Sequence, residues 1–196
     1  MAGSSTAEPQ AAFYLDLRSP EAYLAAERVL GVLTFPAEWI PIRSTQLPAA
    51  DTLEGFRCEA DVLAYRERIT TRAEALGVQP LRWPEPFPLE GDLALRAATY
   101  AKSIGRAVAF VLAAFRQAFA AGRDLAAPDN VVIAGSACEM HPTATLKAVE
   151  TRGVRASLDR ATQTAIDRGV RDVPAIWLPD GRVFHGELAL EQAVPA

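Results

Sequence analysis

Strand-forming residues in this chain are confined to its two ends, with more than a hundred residues of helical pattern between them. Near the start, Ala11–Leu17 (AAFYLDL) is a short apolar, aromatic-rich run that fits a buried strand, and Ala37–Arg43 (AEWIPIR) is a second. Pro41 marks that second run as an edge strand or an early end, because proline has no N–H to give to a ladder. Between the two lies PEAYLAAERVLG, with Ser19 placed to cap a helix, Pro20 at its first position, Glu21 in its first turn and Gly31 just past its end. At the other end, Ala175–Leu178 and Arg182–Phe184 read as two short strands joined by the turn Pro179-Asp180-Gly181. The tail ELALEQAV is a candidate last helix.

The intervening block, from Asp51 to about Arg168, is helical in period. DVLAYRERITTRAEALG is amphipathic. A long alanine-rich stretch opens at Gly91 and breaks near Gly105, and two further helices, Pro128–Cys138 and Pro142–Thr151, each open on proline. The proline-dense segment Gln79–Gly91 has to be a loop. A helix over Arg155–Gly169 leads back to the strands. The order is therefore β-α-β, a helical block, then α-β-β-α, an α/β class of fold. The first ten residues, small and polar, are expected to be disordered.

A formal net charge of −4, a pI near 5.3 and the lack of a dense Lys/Arg block argue against nucleic acid or an anionic membrane as a partner. The start lacks the basic and apolar regions of a secretory signal and no window approaches a membrane span, so a cytoplasmic protein is expected. Cys58 and Cys138 form no C-x-x-C or zinc spacing and read as two reduced thiols. His141 and His185 are not paired at a metal spacing and have no visible triad partner, so no metal site is expected.

Three motifs carry a family resemblance: FYLDLRSPEAYLA at Phe13–Ala25, FPLEGDLALRA at Phe87–Ala97, and ATQTAIDRGVRDVPAIWLPDGRVFHGE at Ala161–Glu187. With the element order, they resemble the DsbA-like superfamily, in the branch of the 2-hydroxychromene-2-carboxylate isomerases and kappa-class glutathione transferases. The resemblance implies a thioredoxin fold carrying a large inserted all-helical domain: residues 11–50 and 153–196 would form the thioredoxin-like part, and residues 51–152 the insertion.

It also implies a site. Redox-active relatives carry C-x-x-C at the start of the first helix, where unpaired N–H groups favour a thiolate. Here the corresponding residues are Ser19, Pro20, Glu21 and Ala22, which excludes dithiol exchange at this position. In the thiol-using relatives a serine donates its hydroxyl to the sulfur of bound glutathione, and the thiolate adds reversibly to an unsaturated substrate. Ser19 is thus the candidate catalytic residue, although serine before proline is also a good helix cap in any fold. The resemblance further implies a cis bond at Val173-Pro174 and a Val173 backbone that pairs with the thiol compound.

Two departures bear on glutathione as the cofactor. Glu90-Gly91 stands where many relatives have Asn-Ser, and Leu188 stands where an Asp is expected against the γ-glutamyl end, leaving Glu187 as the acid that could replace it. Another low-molecular-weight thiol is the alternative. Arg18 and Arg43, both at strand ends, and Glu90 are weaker candidates for a substrate pocket; Trp39, Trp83 and Trp177 are large enough to line one, or to be core. The expected function is a thiol-dependent isomerase or transferase acting on a small molecule, and the resemblance also points toward a homodimer. The alternative is a member of the family without redox or isomerase activity that serves as a binding module.

Overall fold

A computed structural model describes residues 10–49 and 52–194. The disorder expected of the N-terminal ten falls on residues 1–9, outside that range, and the expected boundary between residues 50 and 51 lies outside it too. Strand β1 (Ala11–Leu15) runs parallel to β2 (Ala37–Pro41) and antiparallel to β3 (Ala175–Trp177), which pairs antiparallel with β4 (Val183–His185). The sheet order is β2-β1-β3-β4, so strands from the two ends of the chain lie side by side.

Side-chain alternation explains why β1 is apolar without interruption: both its faces are covered. Phe13 and Leu15 point with Trp39 and Ile176 into the larger core, and Ala12 and Tyr14 point with Ile40, Ala175 and Trp177 into a smaller one. Phe13 stands edge-on to Trp39, with ring centroids 5.1 Å apart. Fully burying a side chain of this size stabilises the fold by about 1.5–3 kcal/mol.

Pro41 is tolerated because of its register. β2 is an edge strand in which Pro41 lies opposite Leu15, and the next residue, Ile42, donates its N–H to the Leu15 carbonyl at 2.9 Å. By alternation the N–H that Pro41 lacks would have pointed away from β1, so no ladder bond is lost. Both long strand readings were two residues too long: β1 and β2 stop at Leu15 and Pro41. In the hairpin, Gly181 takes φ +91° and its N–H bonds to the Leu178 carbonyl, closing the turn one residue later than expected and moving β4 to Val183–His185.

Eight α-helices are present among the described residues. α1 (Pro20–Val32) runs through Gly31 instead of ending before it, because the N–H of Leu33 still reaches the Val29 carbonyl. α2 (Glu59–Ala75) begins only after a 3₁₀ turn at Thr52–Glu54. The alanine-rich stretch divides into α3 (Asp92–Ser103) and α4 (Ala107–Phe115), with Gly105 at φ +74° between them, and α4 continues as a π-helical turn over Arg116–Ala120. α5 (Pro128–Ser136) and α6 (Pro142–Val149) both carry proline in the first turn.

α7 (Arg152–Asp167) starts three residues earlier than expected because Thr151 caps it, accepting from the Val154 N–H. α8 (Ala189–Ala193) closes the described chain. Helices α2 to α6 thus form an insertion between β2 and α7. They bury Phe110, Phe115 and Phe119 completely, with Tyr23 of α1 stacked on Phe119. This joins the insertion to the sheet by one apolar core.

Candidate functional site

Three chain corners meet beside the first turn of α1. The first is the β1–α1 corner, where Asp16 turns inward and becomes almost wholly buried. One of its carboxylate oxygens accepts from the Arg18 N–H at 3.1 Å; the other accepts from both the N–H and the hydroxyl of Ser44, each at 2.8 Å. Burial raises the Asp16 pKa, and the donors from Ser44 and Arg18 work against that rise. Through this one carboxylate the corner is tied to the segment that follows β2.

Ser19 comes next and is 5 % exposed. Its Oγ accepts from the Ala22 N–H at 3.1 Å, the N-cap bond expected from the Ser-Pro step, and its hydroxyl donates to a Glu21 oxygen at 3.4 Å. Glu21 is the hub of a wider network. The Tyr65 hydroxyl donates to the same Glu21 oxygen at 2.5 Å, and Arg68 reaches the other at 3.2 Å. Both partners lie on α2, one turn apart and on one face.

The second corner precedes β3. The Val173–Pro174 peptide is cis, as are Glu85–Pro86 and Phe87–Pro88. The Val173 N–H is not open toward the first helix: it bonds to the carboxylate of the preceding Asp172 at 2.7 Å. The third corner ends β4, where Gly186, at φ +75°, donates its N–H to the Pro174 carbonyl at 2.9 Å. Glu187 then turns to α2 and pairs with Arg68 at 3.1 Å and Arg72 at 3.2 Å.

Between the corners lies a cavity of about 150 Å³. Ser19, Glu21, Ser44, Tyr65, Asp172, Val173 and Glu187 all contribute to its wall. Of the residues singled out from sequence, the structure brings Ser19, Val173 and Glu187 to this cavity, with Pro174 adjacent. It does not bring Arg18, Arg43 or Glu90 there. Arg18 pairs with Glu54 at 2.7 Å, Arg43 is held between Asp92 and Asp159, and Glu90 is exposed on the loop before α3.

The tryptophans are also elsewhere. Trp39 packs on Phe13, Trp83 joins Phe87 in an aromatic cluster, and Trp177 carries the Arg168 guanidinium over its ring at 3.9 Å. Leu188, where the resemblance leads one to expect an acid, is exposed. His141 occupies the N-cap position of α6 without a side-chain capping bond, and His185 accepts the Arg171 N–H; burial lowers the His185 pKa. Among the described residues no group of three or more His, Cys, Asp or Glu is placed to hold a metal ion. Sequence reading missed Glu21, Tyr65 and Arg68 as members of the site. The spacing of Tyr65 and Arg68 put them on one helix face, but nothing local says which helix that face covers.

A hydroxyl and a helix N-terminus, without a cysteine at position 19 or 22, can hold a sulfur but cannot exchange disulfides. A family model, the DSBA-like thioredoxin domain, matches residues 10–195. The chain belongs to the DSBA-like thioredoxin family. Among solved structures, this DSBA-like chain is similar to a 2-hydroxychromene-2-carboxylate isomerase, with 18% identity over 93% of this chain and 91% of the other and a TM-score of 0.79. It is also similar to a probable DsbA oxidoreductase from Streptomyces coelicolor, with 17% identity, 93% and 85% coverage and a TM-score of 0.73. The cytosolic disulfide reductase DsbM from Pseudomonas aeruginosa aligns with 14% identity, 88% and 86% coverage and a TM-score of 0.62. That reductase has also been solved with GSH. At these identities the likeness is one of fold. A comparison with curated protein sequences finds no match.

Proposed function

We propose that this DSBA-like protein is a thiol-dependent isomerase or transferase that seats a low-molecular-weight thiol, glutathione or another, at the start of α1. The observation that carries the reading is the convergence of Ser19, the first turn of α1 and the Val173-Pro174 step on one cavity that has no cysteine at position 19 or 22. The similarity in fold to the isomerase supports it.

In this reading the Ser19 hydroxyl leaves its long contact with Glu21 and donates to the sulfur, while the α1 N-terminus adds partial positive charge. The thiolate forms a carbon–sulfur bond with an unsaturated small molecule, a bond in the adduct rotates, and the carbon–sulfur bond breaks again to return the thiolate. No electron leaves or enters the protein. Cytoplasmic placement and a homodimer belong to the same proposal. The unpaired Cys58 and Cys138 are in keeping with a reducing compartment, and sedimentation would test the dimer.

Calorimetric titration with glutathione, together with ultraviolet absorbance of the bound thiolate across pH, tests the reading. Ser19→Ala removes one donor to a charged acceptor, about 1.5–3 kcal/mol, and should raise the bound thiol's pKa by roughly one to two units. An unchanged pKa and affinity in the variant reduce Ser19 to a helix cap.

A second reading, a binding module without isomerase activity, is favoured by one contact: Asp172 already holds the Val173 N–H that a bound thiol compound would use. Asp172→Asn distinguishes the two. A thiol enzyme should bind thiols at least as tightly once that carboxylate is neutral, whereas a module that recognises cations through Asp172 should lose its ligand.

A further inference from the structure

The chain that enters the cavity wall ahead of Val173 is held by a side chain from another strand. Asp172 and Val173 line the cavity. The residue before them, Arg171, has both backbone groups engaged: its N–H donates to Nε2 of His185 at 3.1 Å, and its carbonyl accepts from the Ala49 N–H at 3.2 Å. His185 ends β4 opposite Ala175, and the next residue, Gly186, bonds to the Pro174 carbonyl. The imidazole thus reaches from the sheet to the segment between α7 and β3. That segment carries the backbone a bound thiol compound would meet.

A backbone N–H can only donate, so the Nε2 that receives it has to present a lone pair. His185 is therefore neutral here, with its proton on Nδ1. A proton on Nε2 would set two donors against each other, so protonation and this bond exclude one another. Among the described residues, the charged groups that face the imidazole are Asp172 and Arg171. β3 beside it has no titratable residue; Glu191 of α8 pairs with Arg28, and Glu187 is turned to Arg68 and Arg72. Burial lowers the His185 pKa from its ordinary 6.5, Asp172 works against this and Arg171 adds to it. The neutral form, and with it the bond, is the one present at neutral pH.

We infer that His185 is a positioning residue of the thiol site: its neutral imidazole holds residues 171–173 against the cavity, and its protonation releases them. The inference rests on the thiol reading above and names a control on that site. Thiol binding is then weakened in acid by a group that does not touch the ligand.

His185→Gln tests it, because the amide oxygen is an acceptor near the Nε2 position that does not titrate over this range. In the free protein, amide exchange followed by NMR from pH 7.5 to 4.5 should show protection of the Arg171 N–H falling in step with protonation of His185. The Gln variant should keep that protection throughout. Protection that takes no account of His185 protonation overturns the inference without reference to any ligand.

Calorimetric titration of both proteins with glutathione and with 2-mercaptoethanol over the same range reads the effect on the site. The thiols and the cavity carboxylates titrate in both proteins alike, so the ratio of affinities isolates the imidazole. One unit below the His185 pKa about one molecule in eleven keeps it neutral, so wild-type affinity should have fallen about tenfold relative to the Gln variant. Equal affinities at every pH overturn the inference and leave the thiol reading standing. Failure of both thiols to bind either protein overturns the thiol reading, and with it the role of His185 in thiol binding, even where the amide exchange behaves as expected.

Discussion

Replacing Tyr65 with phenylalanine isolates the contact that fixes Glu21 beside the cavity. The Tyr65 ring is 5 % exposed and packs edge-on against Phe56 and stacked on Phe87, contacts that phenylalanine keeps. What it loses is the O–H donated to Glu21 at 2.5 Å. A hydrogen bond to a charged group contributes about 1.5–3 kcal/mol. The lower end applies because Glu21 keeps Arg68 and the long contact from Ser19, so its carboxylate is not left without donors.

Tyr65→Phe should therefore cost about 1.5–2 kcal/mol. For a chain of this length that corresponds to a fall in Tm of roughly 3–8 °C. Urea denaturation followed by tryptophan fluorescence measures it, with the slope m expected to stay unchanged because the same surface is exposed on unfolding. Repeating the substitution in a Glu21→Gln background gives the coupling between the two groups. A loss below about 0.5 kcal/mol, within the range of ordinary surface substitutions, or an undiminished loss in the Glu21→Gln background, would refute the argument that the phenol restrains this carboxylate.

Three other outcomes are expected. The protein should not reduce insulin disulfides, since positions 19 and 22 are Ser and Ala; sustained turnover in a variant lacking both Cys58 and Cys138 would contradict this. Asp16 has a folded-state pKa above its ordinary 3.8, so the folded state binds its proton more tightly than the unfolded state does. Its contribution to stability is then greatest below 3.8 and declines as pH rises through the folded value. The urea midpoint of the wild type relative to Asp16→Asn should fall over that window, and a relative midpoint that climbs with pH would show the opposite shift. Finally, exposed Cys58 should react quickly with a thiol reagent, while Cys138, buried and with its thiol pKa raised by desolvation, should react only as the protein unfolds. Two equally fast thiols would contradict that placement.

The parts legible in sequence were those set by chemistry within three or four residues. The Ser19 cap, Pro20 in the first helical turn, the Gly105 break and the Leu178–Gly181 turn all depend on one side chain or one φ angle acting on its near neighbours. α7 began earlier than read because Thr151 was not recognised as its cap and Gly153 weakens the helical pattern just inside it. The rest of the site depends on distant packing. Arg43 looked like a strand-end ligand group, yet Asp92 and Asp159 approach it from two other helices. Tyr65 and Arg68 are ordinary members of an amphipathic helix until α2 crosses α1 and brings them to Glu21. Asp172 stood in plain view beside Val173, and its capture of the neighbouring N–H follows from the short reach of an aspartate side chain.

The missing donor at Pro41 has a bearing on life at high concentration. β2 is an outer strand, and a neighbouring molecule trying to extend the sheet there would meet a ladder with a gap at its end, flanked by the charged pair Glu38 and Lys102. Strand-by-strand growth, the route by which many open sheets turn into fibres, is thereby blunted on that flank.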